Sequence, residues 1–325
     1  MTTDSDSNPT VFIVLNPVAG LVNPQVLQRN IENRFHALGW NTRFHITDVD
    51  EMTACLVEQE IAGGVDLVVA AGGDGTIAAV AAGMVNSSVP LGIIPSGTWN
   101  AIARNLYLPF NVTRAIKLMT GPHNIKKLDL MAVGDAYHAM NISIGFSSSM
   151  VASTGRSEKR RWGNLAYFTN IIKQAFGLQL RRYTIEADGV RYRGRAAEIF
   201  VANYGVVGLN VIEAALEIKP DDGKVDVLIV RARTIFDLPS LFWQAMVLRQ
   251  KRAPKYRQIS ATDSLIIRTS PSAIIQADGE VIGNTPISIT ILPRCVNVIV
   301  PRPRPTTLSM TANLAMPSIK PRQSH

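Results

Sequence analysis

Asp74 stands among glycines in the run VDLVVAAGGDGT, residues 65–76. An apolar stretch of strand length, Val65 to Ala71, stops at Gly72 and Gly73. After Asp74, Gly75 and Thr76 the chain turns into an alanine-rich helix that begins with Ile77 and Ala78. Glycines let backbone approach a ligand closely, and the free N–H groups of such a turn, with the helix N-terminus behind it, attract phosphate. A carboxylate would repel a bare phosphate. Asp74 therefore reads as the holder of a metal ion that bridges nucleotide phosphates, or as the acceptor of a proton from an attacking group. Two more turns share this texture: Asn16, Pro17, Val18, Ala19 and Gly20 after the run Val11 to Leu15, and Pro95, Ser96, Gly97 and Thr98 after Leu91 to Ile94. Thr47, behind the run Thr42 to Ile46, offers a hydroxyl. A purely structural turn explains any one of these alone.

The elements that carry these turns alternate. Leu27, Ile31, Phe35 and Leu38 fall on one face of a helix expected to start near Pro24 and stop at Gly39. Another helix is expected to run to Gly63-Gly64, and others follow the glycine turns. Repeated strand, turn and helix units predict a parallel sheet with helices on both faces, and in such sheets ligands lie beyond the carboxyl ends of the strands. Three turns at those ends make one nucleotide site the economical reading. From about Asp129 the texture changes to strands, at Tyr183–Ala187, Ala196–Ala202, Val225–Val230, Ser264–Arg268, Ala273–Ala277 and Ile287–Ile291, with one helical run at Ile235–Leu248. The expected fold is an α/β N-terminal domain with a parallel sheet over residues 9–130, and a mainly antiparallel β-sandwich over 131–301. Residues 302–325, rich in Pro, Arg, Ser and Thr, are expected to be a disordered tail.

Composition narrows the class. The 325 residues, 46% of them hydrophobic, suffice for two domains with full cores, and the formal net charge of +8 favours an anionic partner. Cys55 and Cys295 belong to no CxxC pattern and read as buried thiols of a reducing compartment. The N-terminus has neither a signal peptide's apolar region nor a presequence's amphipathic pattern. Val65 to Val85 has the length of a membrane span but contains Asp74 and four glycines, so it reads as buried core. A cytoplasmic protein that meets membranes only peripherally is expected. Basic residues cluster from Arg156 to Arg195 and again from Arg249 to Arg257, and would suit either an anionic membrane surface or ordinary solvation. No nucleic-acid module is recognisable.

GGDGT behind a strand, with Pro95, Gly97, Thr98 and Asn100 spaced as PxGTxN some twenty residues later, resembles the catalytic domain shared by diacylglycerol kinases, sphingosine kinases and bacterial lipid kinases. NAD kinases and phosphofructokinases carry similar glycine elements. Further matches favour the lipid kinases: Asn141-Ile142-Ser143-Ile144-Gly145-Phe146 resembles a strand at the domain junction, Pro220 to Val227 a "P-x-DG-x-L-D-V" loop and strand, and Asp278-Gly279-Glu280 with Thr285-Pro286 a "DGE…TP" segment.

The resemblance implies an NAD-kinase- and diacylglycerol-kinase-like fold and transfer of the γ-phosphate of ATP to a lipid hydroxyl, with Mg²⁺. Glu280 is expected to take the proton, and Asp278 and Asp74 to help through metal or hydrogen bonds. Asp-Gly between two strands is equally a plain hairpin signal. A structural Mg²⁺ is implied on Asp222 with the backbone of Lys219 and Lys224, where oxygen ligands suit a hard cation. Two positions depart from the family: Ala78-Ala79 replaces a frequent Asn-Glu, and Ala101 a frequent Asp, while Asp129 matches. The alternatives are a kinase of a soluble substrate, of the NAD kinase type, and a lipid- or nucleotide-sensing pseudokinase. An unpaired strand edge would support a homodimer.

Overall fold

The computed structural model describes residues 8–19, 23–48, 52–145, 148, 180–204, 218–231, 252–253 and 256–302. Gly20, Phe146, the run Ile235–Leu248, most of both basic clusters and the tail from residue 303 lie outside the described residues.

The first part of the chain alternates as its punctuation predicts: β1 (Thr10–Leu15), α1 (Pro24–His36), β2 (Asn41–Ile46), α2 (Thr53–Ala62), β3 (Leu67–Gly72), α3 (Asp74–Ala82), β4 (Leu91–Pro95), α4 (Ala101–Asn105) and α5 (Val112–Thr120). Asn23 starts α1 by accepting the N–H groups of Gln25 and Val26, with Pro24 in the first turn, where its missing N–H costs nothing. Leu27, Ile31 and Phe35 are buried as their spacing requires. Leu38 is exposed, because the helix has already ended and the chain turns through Gly39 at φ 78°. Strands β1 to β4 lie parallel in the order β2-β1-β3-β4. Every residue of β3 is buried, as a central strand covered on both faces must be.

The second part is built of β5 (Asn124–Val133), β6 (Ala136–His138), β7 (Asn141–Gly145), β8 (Arg181–Ala187), β9 (Val190–Ala196), β10 (Glu198–Ala202), β11 (Val225–Val230), β12 (Arg252–Ala253), β13 (Tyr256–Ala261), β14 (Ser264–Ser270), β15 (Ile274–Ala277), β16 (Glu280–Asn284) and β17 (Ile287–Val300). One antiparallel sheet runs β12-β13-β11-β10-β7-β15-β16. Its Ile142, Val201 and Val227 pack, fully buried, in one core with Ile185, Ile267 and Ile289 of the β8-β14-β17 sheet, which makes this part a β-sandwich.

Strand β17 joins the two parts. Its first half alternates buried and exposed residues and pairs with β14. A register shift between Leu292 and Val296, with Arg294 at φ 52°, then redirects it, and its second half pairs with β5 and lies parallel to β4 at Val298. Val296 and Val298 therefore sit in the core of the α/β part, beside Leu128 and Leu130. A single cut near residue 130 does not describe this arrangement, because the last strand returns to the first sheet. Cys295 is buried as expected, and burial pushes its thiol up to about 11; Cys55 is exposed, contrary to expectation, on the outer face of α2.

The β8–β9 hairpin turns at Asp188 and Gly189, φ 48° and 79°. The Asp188 carboxylate accepts the N–H groups of Thr262, Asp263 and Ser264 and the Thr262 hydroxyl. Slight burial works to raise its pKa, but these donors outweigh it and hold the group below the usual aspartate value.

Two outcomes follow for stability. A chain ending at Leu292 loses the strand that closes the first sheet and should show no cooperative thermal transition; a sharp melt near that of the full chain would contradict the shared strand. Because the folded-state pKa of Asp188 is depressed, its contribution is present above about pH 3.9 and is lost as pH falls through the folded value. The melting-temperature gap between Asp188→Asn and the unaltered chain should thus be full at neutral pH and close on acidification.

Candidate active site

The parallel strands end at one rim. Leu15 stands level with Ile46 and with Ala71, and Gly72 with Pro95, so the chain leaves β1, β2, β3 and β4 side by side. Backbone bonds hold the exits together: Asn16 N–H donates to Ala71 O (3.0 Å), Thr47 N–H to Leu15 O (2.9 Å) and Ser96 N–H to Gly72 O (3.0 Å). The Asn16 side chain accepts Val18 N–H and donates to Thr76 Oγ1, both at 3.0 Å. The glycines have a steric reason. A Cβ on Gly72 would overlap the Thr76 side chain, and one on Gly97 would overlap the backbone of Gly73, so the two glycine turns touch main chain to main chain. Buried Asn100, at φ 46°, clamps the second turn by accepting Gly97 N–H (2.9 Å) and donating to Gly97 O (2.6 Å).

Asp74 opens α3 and accepts the Ile102 N–H through Oδ1 at 2.9 Å, satisfying a free donor of the first turn of α4. It does not line the cleft at this rim. The expectation that a carboxylate among glycines has no structural task is corrected here: Asp74 ties the GGDGT turn to the segment behind PSGTWN.

The other wall comes from the sandwich. Asp278 and Gly279, φ 47° and 96°, turn the β15–β16 hairpin, so the plain hairpin reading of Asp-Gly is correct. The Asp278 side chain does more than a turn needs. Oδ2 accepts Ala139 N–H (2.8 Å), Oδ1 accepts Met140 N–H (2.9 Å) and Asn141 N–H (3.0 Å), and His138 Nδ1 lies 3.7 Å from Oδ2. Asn203 fixes the same stretch by donating to the carbonyls of Asp129 (2.6 Å) and Ala139 (2.9 Å). Beneath it lies fully buried Tyr204, its pKa raised well above the ordinary value by burial and then by the charge of Asp129.

Between the two walls opens a cleft of about 710 Å³. Asn16, Pro17, Val18, Ala19, Thr47, Gly73, Gly75, Thr76, Ala78 and Thr98 line it on the α/β side, and Asp278 and Glu280 on the sandwich side. Gly72 and Ile77 lie behind this surface. Asp48, Thr53, Tyr137, His138 and Ile282 line it without having been singled out in the sequence. Tyr137 and His138 sit on the three-residue β6, too short for any periodicity to mark. His138 Nε2 is buried and has no hydrogen-bond partner.

The Pro220–Lys224 loop lies apart from the cleft-lining residues. Asp129, wholly buried, accepts Gly223 N–H and Arg294 N–H, both at 2.7 Å; burial raises its pKa against those bonds, and the charges of Asp222 and Asp221 raise it further. Asp221 pairs with Lys126 at 3.1 Å, and Asp222 Oδ2 with Lys224 at 3.4 Å. Asp222 Oδ1 is buried with no partner. Among the described residues no group of three or more His, Cys, Asp or Glu side chains could hold a metal ion, so a cation at this loop would depend on Asp222 Oδ1 and main-chain oxygens.

Residues 10–133 match the diacylglycerol kinase catalytic domain, and residues 140–300 match the YegS C-terminal NAD kinase beta sandwich-like domain. A Staphylococcus carnosus protein named "Putative lipid kinase" is 28% identical over 230 residues, 70% of this chain and 74% of its own length. An uncharacterized protein of Synechocystis is 27% identical over 306 residues, 90% of this chain and 70% of its own. Among solved structures, a diacylglycerol kinase from Bacillus anthracis superimposes with a TM-score of 0.70 at 24% identity, over 90% of this chain and 97% of that one, a likeness of fold.

Asp278→Asn tests the clasp. An amide group cannot accept at both ends, so one of three backbone donors loses its acceptor, and the fold should lose about 1–3 kcal/mol. Denaturant unfolding measures this, and an unchanged midpoint would contradict the assignment.

Proposed function

Given that the chain belongs to the family that joins a diacylglycerol kinase catalytic domain to a YegS-type β-sandwich, we propose that it transfers the γ-phosphate of ATP to the hydroxyl of a lipid, diacylglycerol or a close relative. The observation that carries this reading is the shared cleft, with glycine turns on one wall and the Glu280 carboxylate on the other.

The turns at Asn16–Ala19, Gly73–Thr76 and Gly97–Thr98 offer backbone N–H groups, which suit the oxygens of a triphosphate. Glu280 accepts the proton of the lipid hydroxyl as its oxygen attacks the γ-phosphorus; the bond to the β,γ-bridging oxygen breaks, and ADP leaves with that oxygen. Asp278 acts through Glu280, by fixing the hairpin that carries it. Asp74 acts through the turns. Mg²⁺ bound with ATP would neutralise phosphate charge. The bare Asp222 Oδ1, with the carbonyls of Lys219 and Lys224, suits a second, structural divalent cation. No helix among the described residues is long and apolar enough to cross a membrane, which agrees with a protein that meets its lipid at a membrane surface from the cytoplasmic side.

One observation favours a second reading. Ala78 and Ala79 line the cleft without supplying a carboxylate, as a nucleotide-sensing pseudokinase would allow.

Labelled ATP and mixed micelles of candidate lipids decide between them. Transfer to a lipid is expected, and Glu280→Gln should lower kcat by about 10²–10⁴-fold while ATP affinity stays unchanged. ATP binding without Glu280-dependent transfer to any lipid would favour the sensor, and phosphorylation of NAD would favour the soluble-substrate kinase.

A further inference from the structure

The segment that follows the second glycine turn has a surface the proposed reaction does not use. Gly97 and Thr98 line the cleft. The next side chain, Trp99, is 63% exposed, and further along Tyr107 is 87% and Phe110 46% exposed. Single exposed apolar side chains are ordinary, but three large aromatic ones gathered in one short segment are not. Arg104 gathers them. Its Nε donates to Trp99 O at 2.9 Å, its guanidinium carbon lies 5.0 Å from the Phe110 ring centroid, and its carbonyl accepts Tyr107 N–H at 3.0 Å. Tyr107 is held at φ 55°, where a bulky side chain is uncommon, so its ring is displayed from a fixed backbone.

The charge of this stretch has one sign. Between Asp74 and Asp129 the sequence contains no Asp or Glu, but carries Arg104, Arg114, Lys117, Lys126 and Lys127. Arg114 and Lys117 are exposed on α5, whose Ala115, Ile116 and Met119 are buried against the sheet. Aromatic rings with an apolar body and a polar tip settle at the headgroup level of a bilayer, and cations beside them are drawn to anionic lipid.

We propose that the face formed by Trp99, Tyr107 and Phe110, with Arg104, Arg114 and Lys117, docks the protein on an anionic phospholipid bilayer. Charge selects this occupant: two copies brought together through the same cationic face would repel each other. The proposal rests on the lipid-kinase reading, which explains why such a face borders the cleft. A lipid hydroxyl can then approach Glu280 with its acyl chains still in the membrane.

The test is co-sedimentation of the full-length protein with phosphatidylcholine vesicles containing or lacking phosphatidylglycerol. The double variant Trp99→Ser, Tyr107→Asn alters only exposed rings, and asparagine suits the left-handed backbone, so the melting temperature should hold. Its partitioning onto anionic vesicles should fall by about tenfold. Arg114→Ser with Lys117→Ser should cost about fivefold per cation on anionic vesicles and little on neutral ones. Vesicle binding unchanged in both variants would overturn the proposal. So would no vesicle binding by the unaltered protein, or a dimer in light scattering that the aromatic variant abolishes. Transfer to micellar lipid, measured in parallel, separates the two ideas. A variant that binds vesicles normally removes the docking face and leaves the kinase standing, while patch-dependent binding without any transfer removes the kinase and leaves the docking face.

Discussion

The carboxylate of Asp278 accepts three consecutive backbone N–H groups, Ala139 to Asn141, and the placement of Glu280 depends on that clasp. Hydrogen bonds to an ionised acceptor are stronger than neutral ones, and three donors from adjacent residues leave the carboxylate no alternative orientation. The hairpin that Asp278 begins is therefore locked to the stretch where the chain passes from β6 to β7. That stretch is in turn locked to β5 through Asn203. Glu280, two residues beyond the clasp, inherits a position that its own exposed side chain could not secure. Preorganisation of this kind matters for transfer chemistry, where a misplacement of about 1 Å can cost 10²-fold.

The same device occurs at Asp188, whose carboxylate also begins an Asp-Gly hairpin and also gathers consecutive N–H groups, from Thr262 to Ser264. No cleft-lining residue neighbours it in sequence. Comparison of the two shows that a hairpin signal and a functional reading of Asp-Gly do not compete. The turn is made by the two residues with positive φ, and the acid is then free to staple a third segment. What distinguishes Asp278 is the glutamate that follows and the wall to which it is stapled. On the opposite wall Asp74 performs a related service, since its bond to Ile102 N–H keeps the two glycine turns close enough for Gly73 and Gly97 to touch.

The parallel half of the fold was legible because its punctuation is strong. Each apolar run ends in glycine, proline or asparagine, and the rim where those runs end is where the cleft lies. The sandwich was legible as a class, while its details were not. Pro293 and Arg294 read as the end of a short strand after Ile291, yet β17 absorbs them as a bulge and continues to Val300. Strand β16 was hidden because Glu280, Val281 and Ile282 are all exposed and show no alternation. Helix α5 buries Ala115, Ile116 and Met119, a face interrupted by Arg114 and Lys117 that apolar spacing alone did not reveal. Asp74 was identified as important for a reason that its geometry revises, since no local pattern announces a bond to a residue 28 positions away. His138 could have been found only through its partner Asp278, which the sequence places 140 residues later.

Two walls from different parts of the chain are held to the same cleft by staples of main-chain hydrogen bonds, and a triphosphate between them would meet the turns on one side and Glu280 on the other. A crystal structure of the protein with Mg²⁺ and a non-hydrolysable ATP analogue tests this most directly. The terminal phosphate should lie against the N–H groups of the Gly73 and Gly97 turns, with the Glu280 carboxylate facing it across a gap wide enough for one hydroxyl group. A nucleotide bound outside this cleft, or one whose terminal phosphate points away from Glu280, would contradict it.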